Sequence, residues 1–389
     1  MTLDINPRTC RHKMFFENYD IPQVGYENAR KAAFGKRYSK LDFVQDSIKK
    51  HGVAGLFINP ESSLISMPPR TSPRWGTALY RTHLPDGNFA SIALSLAESV
   101  GVSSTSRIQK VNKKTVLGVL AKAGVHAKKV SRFFLRNIRC SECQLDEMWS
   151  FIGKKEKNLD AVEKLQGILG DAWIWIAFDA VTKIVLAYVI GKRTLPHAVS
   201  LLEEVKIVTA DMPELFSSDQ LDHYANALLQ VYGNIVVPTR KPGAGRPPNP
   251  RLVAPKNLNY VHVVKEYKEN RVHKISHKVI YGDADKISEI LENSVVSRKI
   301  NTSYVERNNG TIRHMDARCS RKTYRFSKIK ENHEHQLSLS LAYYHLCRPH
   351  RMLTKRYNNP TTPFMAAGLT DHVWAMEDLL TFKSANYCR

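Results

Sequence analysis

The sequence predicts an α/β chain in which a mixed β-sheet flanked by helices follows an all-α domain. Three observations lead there. Between residues 89 and 124, apolar positions recur at helical spacing. From residue 144 the pattern changes to short aromatic and β-branched runs. Those runs come in the order strand, strand, strand, helix, strand, helix, the opening order of an RNase H-like domain.

At 389 residues, two or three domains are expected. Lys and Arg number 58 against 36 Asp and Glu, a net charge of +22 that favours a polyanionic partner through counterion release. Ala172 to Ile190 is the one long apolar stretch, and Asp179, Thr182 and Lys183 interrupt it. It reads as two strands around a turn, so no membrane partner is expected. The N-terminus lacks a signal-peptide layout, which predicts a cytoplasmic protein, nucleoid-associated when bound to DNA. Six scattered cysteines suggest reduced thiols. Cys140-x-x-Cys143 is half of a zinc spacing without a visible second pair, or else a plain strand approach.

Residues 1–88 are the least legible, with a helical stretch at Lys40 to His51 and a proline-rich loop region after it. Residues 89–139 read as a helix-turn-helix DNA-binding domain with a basic linker. Ala90 to Val100 is a helix, a short one surrounds Ser106 to Ile108, and Asn112 caps a third that runs from Lys113 to Lys122 and stops at Gly124. Short helix, tight turn and basic helix would place Asn112, Lys113, Lys114, Thr115 and Lys122 on DNA. A helical bundle with a solvated basic face fits the same pattern.

Residues 140–346 read as the RNase H-like catalytic domain. Strands are expected at Gln144 to Ile152, Trp173 to Phe178, Ile184 to Ile190, Glu214 to Ser218 and Tyr260 to Glu266, with a further strand at Lys278 to Tyr281. Helices are expected at His197 to Val208, with Pro196 in the first turn, at Leu221 to Val231, from Ser303, and at Phe326 to Leu346. A basic Pro- and Gly-rich insertion at about 238–257 carries Arg246 as a phosphate-tracking candidate. Residues 347–389 form a C-terminal tail.

Three carboxylates stand at the expected strand, strand end and helix: Asp146, Asp219 and Glu306. Phosphodiester cleavage needs charge neutralised on attacking and leaving oxygens. Two Mg²⁺ (or Mn²⁺) ions about 3.5–4 Å apart do this, and hard ions prefer carboxylate oxygens. Strand alternation places Asp146 on one face with Gln144 and Met148. Helical spacing places Glu306 with Asn309, Gly310 and Arg313. Each acid also has a plain reading. Asp146 can be a surface acid beside Glu147, and Asp219 a helix cap with Asp222 as its rival. Ser303-x-x-Glu306 fits a capping box.

Gln144-Leu145-Asp146-Glu147-Met148-Trp149-Ser150-Phe151 and Thr302-Ser303-Tyr304-Val305-Glu306-Arg307-Asn308-Asn309 resemble the catalytic motifs of IS1-family insertion-sequence transposases. Arg318 to Lys328, Glu331-Asn332-His333 and Pro363 to Trp374 are similar too, so the resemblance spans about residues 90–380. It implies a DDE transposase in which Asp146, Asp219 and Glu306 are the metal-binding acids and Arg313 the basic residue seven after the Glu. It also implies double-stranded DNA partners, both terminal inverted repeats and target, and a homodimer or larger synaptic complex. The chain departs from the pattern at Ser217-Ser218-Asp219-Gln220, where relatives often show Thr-Asp-Gly, and in lacking a paired-cysteine ribbon. Two other functions stay open: a sequence-specific DNA-binding regulator with an inactive core, and an RNase H-like nuclease without terminal-repeat specificity.

Overall fold

The computed structural model describes residues 57–58, 65–66, 72–238, 249–269 and 271–383. The helix expected at 40–51 and Arg246 lie outside the described residues. The chain divides into two compact units, residues 1–76 with 383–389, and Thr77–Phe382. In the first, Phe57–Ile58 pairs antiparallel with Ile65–Ser66.

The second unit opens with helices α1 (Asp86–Ala97), α2 (Val102–Ile108) and α3 (Lys113–Phe134). In α1, Phe89, Ile92, Ala93 and Leu96 recur at three- and four-residue spacing, and all are buried. Asn112 caps α3, its side-chain oxygen accepting the Lys114 N–H at 2.9 Å. The helix does not stop at Gly124 as expected; it runs on to Phe134 and takes in much of the basic linker. The reason is that its apolar stripe continues past the glycine through Ala127 and Val130. Gly124 is a point of close approach, because a Cβ there would lie 2.5 Å from the His335 carbonyl oxygen.

The sheet has six strands: β1 (Glu142–Ile152), β2 (Gly170–Asp179), β3 (Val185–Gly191), β4 (Leu215–Ser218), β5 (Tyr260–Lys268) and β6 (Arg271–Tyr281). Their order across the sheet is β6-β5-β4-β1-β2-β3. Strands β1, β2 and β3 are antiparallel neighbours, so Ala172 to Ile190 is the expected pair of strands. Strand β4 lies parallel to both β1 and β5, and β6 returns antiparallel along β5. Among the described residues, no helix is long and apolar enough to cross a membrane.

Helices cover both faces. Leu145, Trp175 and Ala177 join α3 together with α4 (Leu195–Val208) and α5 (Asp222–Tyr232) in the larger core. Met148, Ile152, Ile174 and Ile176 pack on the other face, against Val305 and Ile312 of α7 (Ser303–Met315) and Leu337 and Leu341 of α8 (Lys330–Leu346). Helix α8 starts four residues later than the sequence suggests. The segment before it is loop, fixed to β1 where the Gly153 N–H meets the Ser327 carbonyl at 2.8 Å.

Helix α6 (Ala284–Glu292), absent from the sequence reading, buries only Ile287 and Leu291, against Leu215 and Val261. At the base of the basic insertion, Asn234–Val236 pairs antiparallel with Arg251–Val253. Helices α1 and α3 pack on α8 and on α9 (Met376–Thr381), within the same compact unit as the sheet.

Candidate active site

The site begins with a strand that is too short. Strand β4 has four residues, and its last pairings are Ser217 with Gln144 on one side and Ser218 with His262 on the other. Strands β1 and β5 both continue past it, so a slot opens between them. Asp219 is the first residue beyond β4, and Asp146 lies two residues along β1 from the last pairing. One carboxylate oxygen each of Asp146, Glu147 and Asp219 lies within 4.8 Å of the others. The structure thus brings Asp219 to Asp146, while Asp222 sits exposed in the first turn of α5. Asp219 also accepts the Leu221 N–H at 3.2 Å, a local turn that fixes its side chain.

Asp146 points to the α7 side of the sheet, where the Asn309 amide donates to its Oδ2 at 2.7 Å. Its Oδ1 accepts the Glu147 N–H at 2.9 Å. Burial, followed by the charges of Glu147 and Asp219, pushes its pKa up to about 7; the nearby Glu306 adds a smaller push. Glu147 points to the opposite face. Arg193 Nε donates to its Oε1 at 2.9 Å, a second guanidinium nitrogen meets the same oxygen, and the Tyr224 hydroxyl donates to Oε2 at 3.1 Å. Burial raises its pKa too, with Asp219 adding and Arg193 opposing.

Glu306 stands at the edge of this group rather than in it. Its Oε1 accepts the Thr302 hydroxyl at 2.6 Å and pairs with the Lys265 ammonium from β5. The capping box does not form: Thr302 is the N-cap, and the Ser303 hydroxyl donates instead to Asn301 Oδ1 at 2.6 Å. Arg313, two turns on from Glu306, is half-buried; burial lowers its pKa, with Asp146 among the groups that oppose the shift.

The residues expected on DNA are placed unequally. Asn112, Lys113 and Lys114 are exposed at the tip of α3, and Thr115 is half-buried. Lys122 instead donates to the carbonyls of Tyr80 at 3.0 Å and Arg81 at 2.7 Å, which ties it into the fold. Cys140 and Cys143 are free and buried, and the Cys143 partner together with burial holds the Cys140 thiol well above its ordinary range. Glu147, Arg193, Tyr224 and Lys265 were not singled out by the sequence. Glu147 alone had a local signal, as the acid next to Asp146.

A set of carboxylates with one pKa near neutrality fits a hard divalent cation, because that cation would offset the burial and the mutual repulsion that raise it. Asp146, Glu147 and Asp219 offer the oxygens directly.

No family model matches this chain. A segment of 52 residues, 13% of the chain, is 38% identical to the insertion element iso-IS1n protein InsB of Shigella dysenteriae. That segment spans 30% of the relative's length. Among solved structures, the Mos1 transposase paired-end complex with left transposon end aligns over 56% of this chain and 73% of its own, at 11% identity and a TM-score of 0.16. The pre-cleavage Mos1 transpososome gives the same values, and the Mos1 strand transfer complex aligns over 51% and 65%, at 10% identity and 0.15.

Proposed function

We propose that the chain is a metal-dependent polynucleotidyl transferase, a DDE transposase that cuts insertion-sequence ends and joins the freed 3′-OH to target DNA. The observation that carries this reading is the slot beyond β4, where Asp146 and Asp219 meet at the centre of the sheet. The strand order, three antiparallel strands followed by two parallel ones, supports an RNase H-like core. The likeness of a segment to InsB and the +22 charge support DNA as the substrate.

Asp146 and Asp219 would hold Mg²⁺ or Mn²⁺, with Glu306 completing the set once it leaves Lys265. The bound ions would neutralise charge on the attacking and leaving oxygens. The chain's own residues do the rest. Asn309 orients the Asp146 carboxylate, and Arg193 with Tyr224 fixes Glu147, whose carboxylate stays within 4.8 Å of the other two acids. Arg313 and the exposed lysines at the tip of α3 would hold the DNA backbone, and two ends held together would require a dimer or larger assembly. A non-cleaving DNA-binding regulator is the second reading, and the Lys265–Glu306 ion pair favours it.

The test uses duplex DNA flanking the coding sequence, with Mg²⁺ or Mn²⁺ present. The parent chain should nick the end and transfer it to a plasmid. Asp146→Asn should lower that activity at least about a thousandfold while retaining DNA binding. Full strand transfer by Asp146→Asn would sink the assignment, and duplex binding without any cleavage by the parent chain would favour the regulator.

A further inference from the structure

Away from the acid cluster, the outer half of β1 carries a row of aromatic rings. Trp149 and Phe151 alternate with the buried Met148, Ser150 and Ile152, so they share the sheet face of Glu147. Neither ring belongs to the three apolar cores, nor does Phe326 of the loop before α8. The three pack on one another instead. Trp149 and Phe151 have centroids 5.5 Å apart with planes at 32°, and Phe151 and Phe326 are 4.6 Å apart at 34°. All three are half-buried and keep part of their surface in solvent.

Lysines flank the row. The Lys155 ammonium lies 5.6 Å from the Trp149 centroid and 5.8 Å from that of Phe151, and Lys328 lies 3.4 Å from that of Phe326. Both are exposed, and neither makes an ion pair among the described residues. The neighbouring acids Glu156 and Glu163 are tied to Lys192 and Lys154. Across the strand pair, Trp173 is in register with Trp149 and carries the Arg193 guanidinium 4.8 Å from its centroid. Because Arg193 also grips Glu147, the row runs without a break back to the acid cluster.

We propose that Trp149, Phe151 and Phe326 form a stacking platform for unpaired bases of a DNA strand entering the cleft. The proposal rests on the nucleic-acid reading above and adds the form of the substrate at this surface. A duplex hides its base faces, so rings offer it little, whereas a single strand exposes a π-face at every base and a phosphate between them. Rings with exposed lysine ammoniums over them, which a base can displace onto the adjoining phosphate, match that ligand. Along β1, on the face opposite to Asp146, Trp149 is about 7 Å and Phe151 about 13 Å from Glu147, whose carboxylate reaches the acid cluster, a span of a few nucleotides. Phe326 is held ready: its neighbour Ser327 accepts the Gly153 N–H at 2.8 Å and an Arg318 N–H at 3.1 Å.

The experiment compares a labelled single-stranded oligo(dT) with an abasic strand of equal length and charge, both titrated with the full chain and read by fluorescence anisotropy. The parent chain should bind the base-bearing strand at least about tenfold more tightly, and Trp149→Ala or Phe326→Ala should each erase about tenfold of that preference. Equal affinity for the two strands would overturn the platform and leave the rings as packing for the loop. If either alanine variant fails to fold, Lys155→Ala with Lys328→Ala keeps the test alive, and unchanged oligo(dT) affinity in that variant counts against the proposal. Nicking of duplex ends by the parent chain is scored separately, so failure of the platform and failure of the nuclease reading give different results.

Discussion

The two walls of the slot are built differently. On the β1–β4 wall, Asp146 and Asp219 are fixed by strand register and local turns, and Asp146 is buried enough that its pKa sits near 7. On the β5–α7 wall, Glu306 is exposed, hangs from the first turns of a helix and is bound to Lys265. On the proposed function, the sheet wall is therefore committed, and the helix wall is held in reserve. An ion pair at this exposure is worth about 0–1 kcal/mol, so a divalent cation can displace Lys265 at little cost.

The comparison breaks most visibly at β4. Asp219→Asn should abolish metal-dependent cleavage, by about a thousandfold or more, while Asp222→Asn should stay within a few-fold of the parent; the nicking assay decides. Equal losses would mean that the turn at Leu221 does not select the acid.

A smaller effect follows from the buried wall. A carboxyl with a raised folded-state pKa binds its proton more tightly when folded. Its stabilising contribution is full below about pH 4 and is lost as pH rises through about 7. Without divalent cations, thermal stability should fall across that window by at most about 4 kcal/mol, and Asp146→Asn should flatten the fall. Added Mn²⁺ should raise the melting temperature more at pH 8 than at pH 6, as differential scanning fluorimetry would record. The smallest effect belongs to the reserve wall. Lys265→Ala should tighten Mn²⁺ binding by about two- to fivefold in calorimetric titration, and unchanged affinity would exclude Glu306 from the ligand set.

Much of this was legible in the sequence because the signals were local. Strand alternation put Asp146 on the face that meets α7, and the β-branched runs gave the order of the strands. What escaped was set by distant partners. Tyr224 and Arg193 meet Glu147 only because α5 and the end of β3 fold over β1, and nothing near either residue announces it. Lys265 reads as one more strand lysine until α7 brings Glu306 to it. Gly124 misled because a glycine at a helix end and a glycine at a helix crossing look alike in one dimension. The helix at 284–292 was missed because two buried apolar residues make too faint a stripe.

The Gly124 crossing also gives the molecule a lever. His335, whose backbone faces Gly124, lies two residues from His333, whose ring meets the Ser150 hydroxyl at 3.0 Å on β1. A single methyl group at position 124 would prise α3 from α8 and send the displacement through His333 into the strand that carries Asp146. A residue far from the acid cluster, with no side chain of its own, thereby sets the tolerance to which those carboxylates are held.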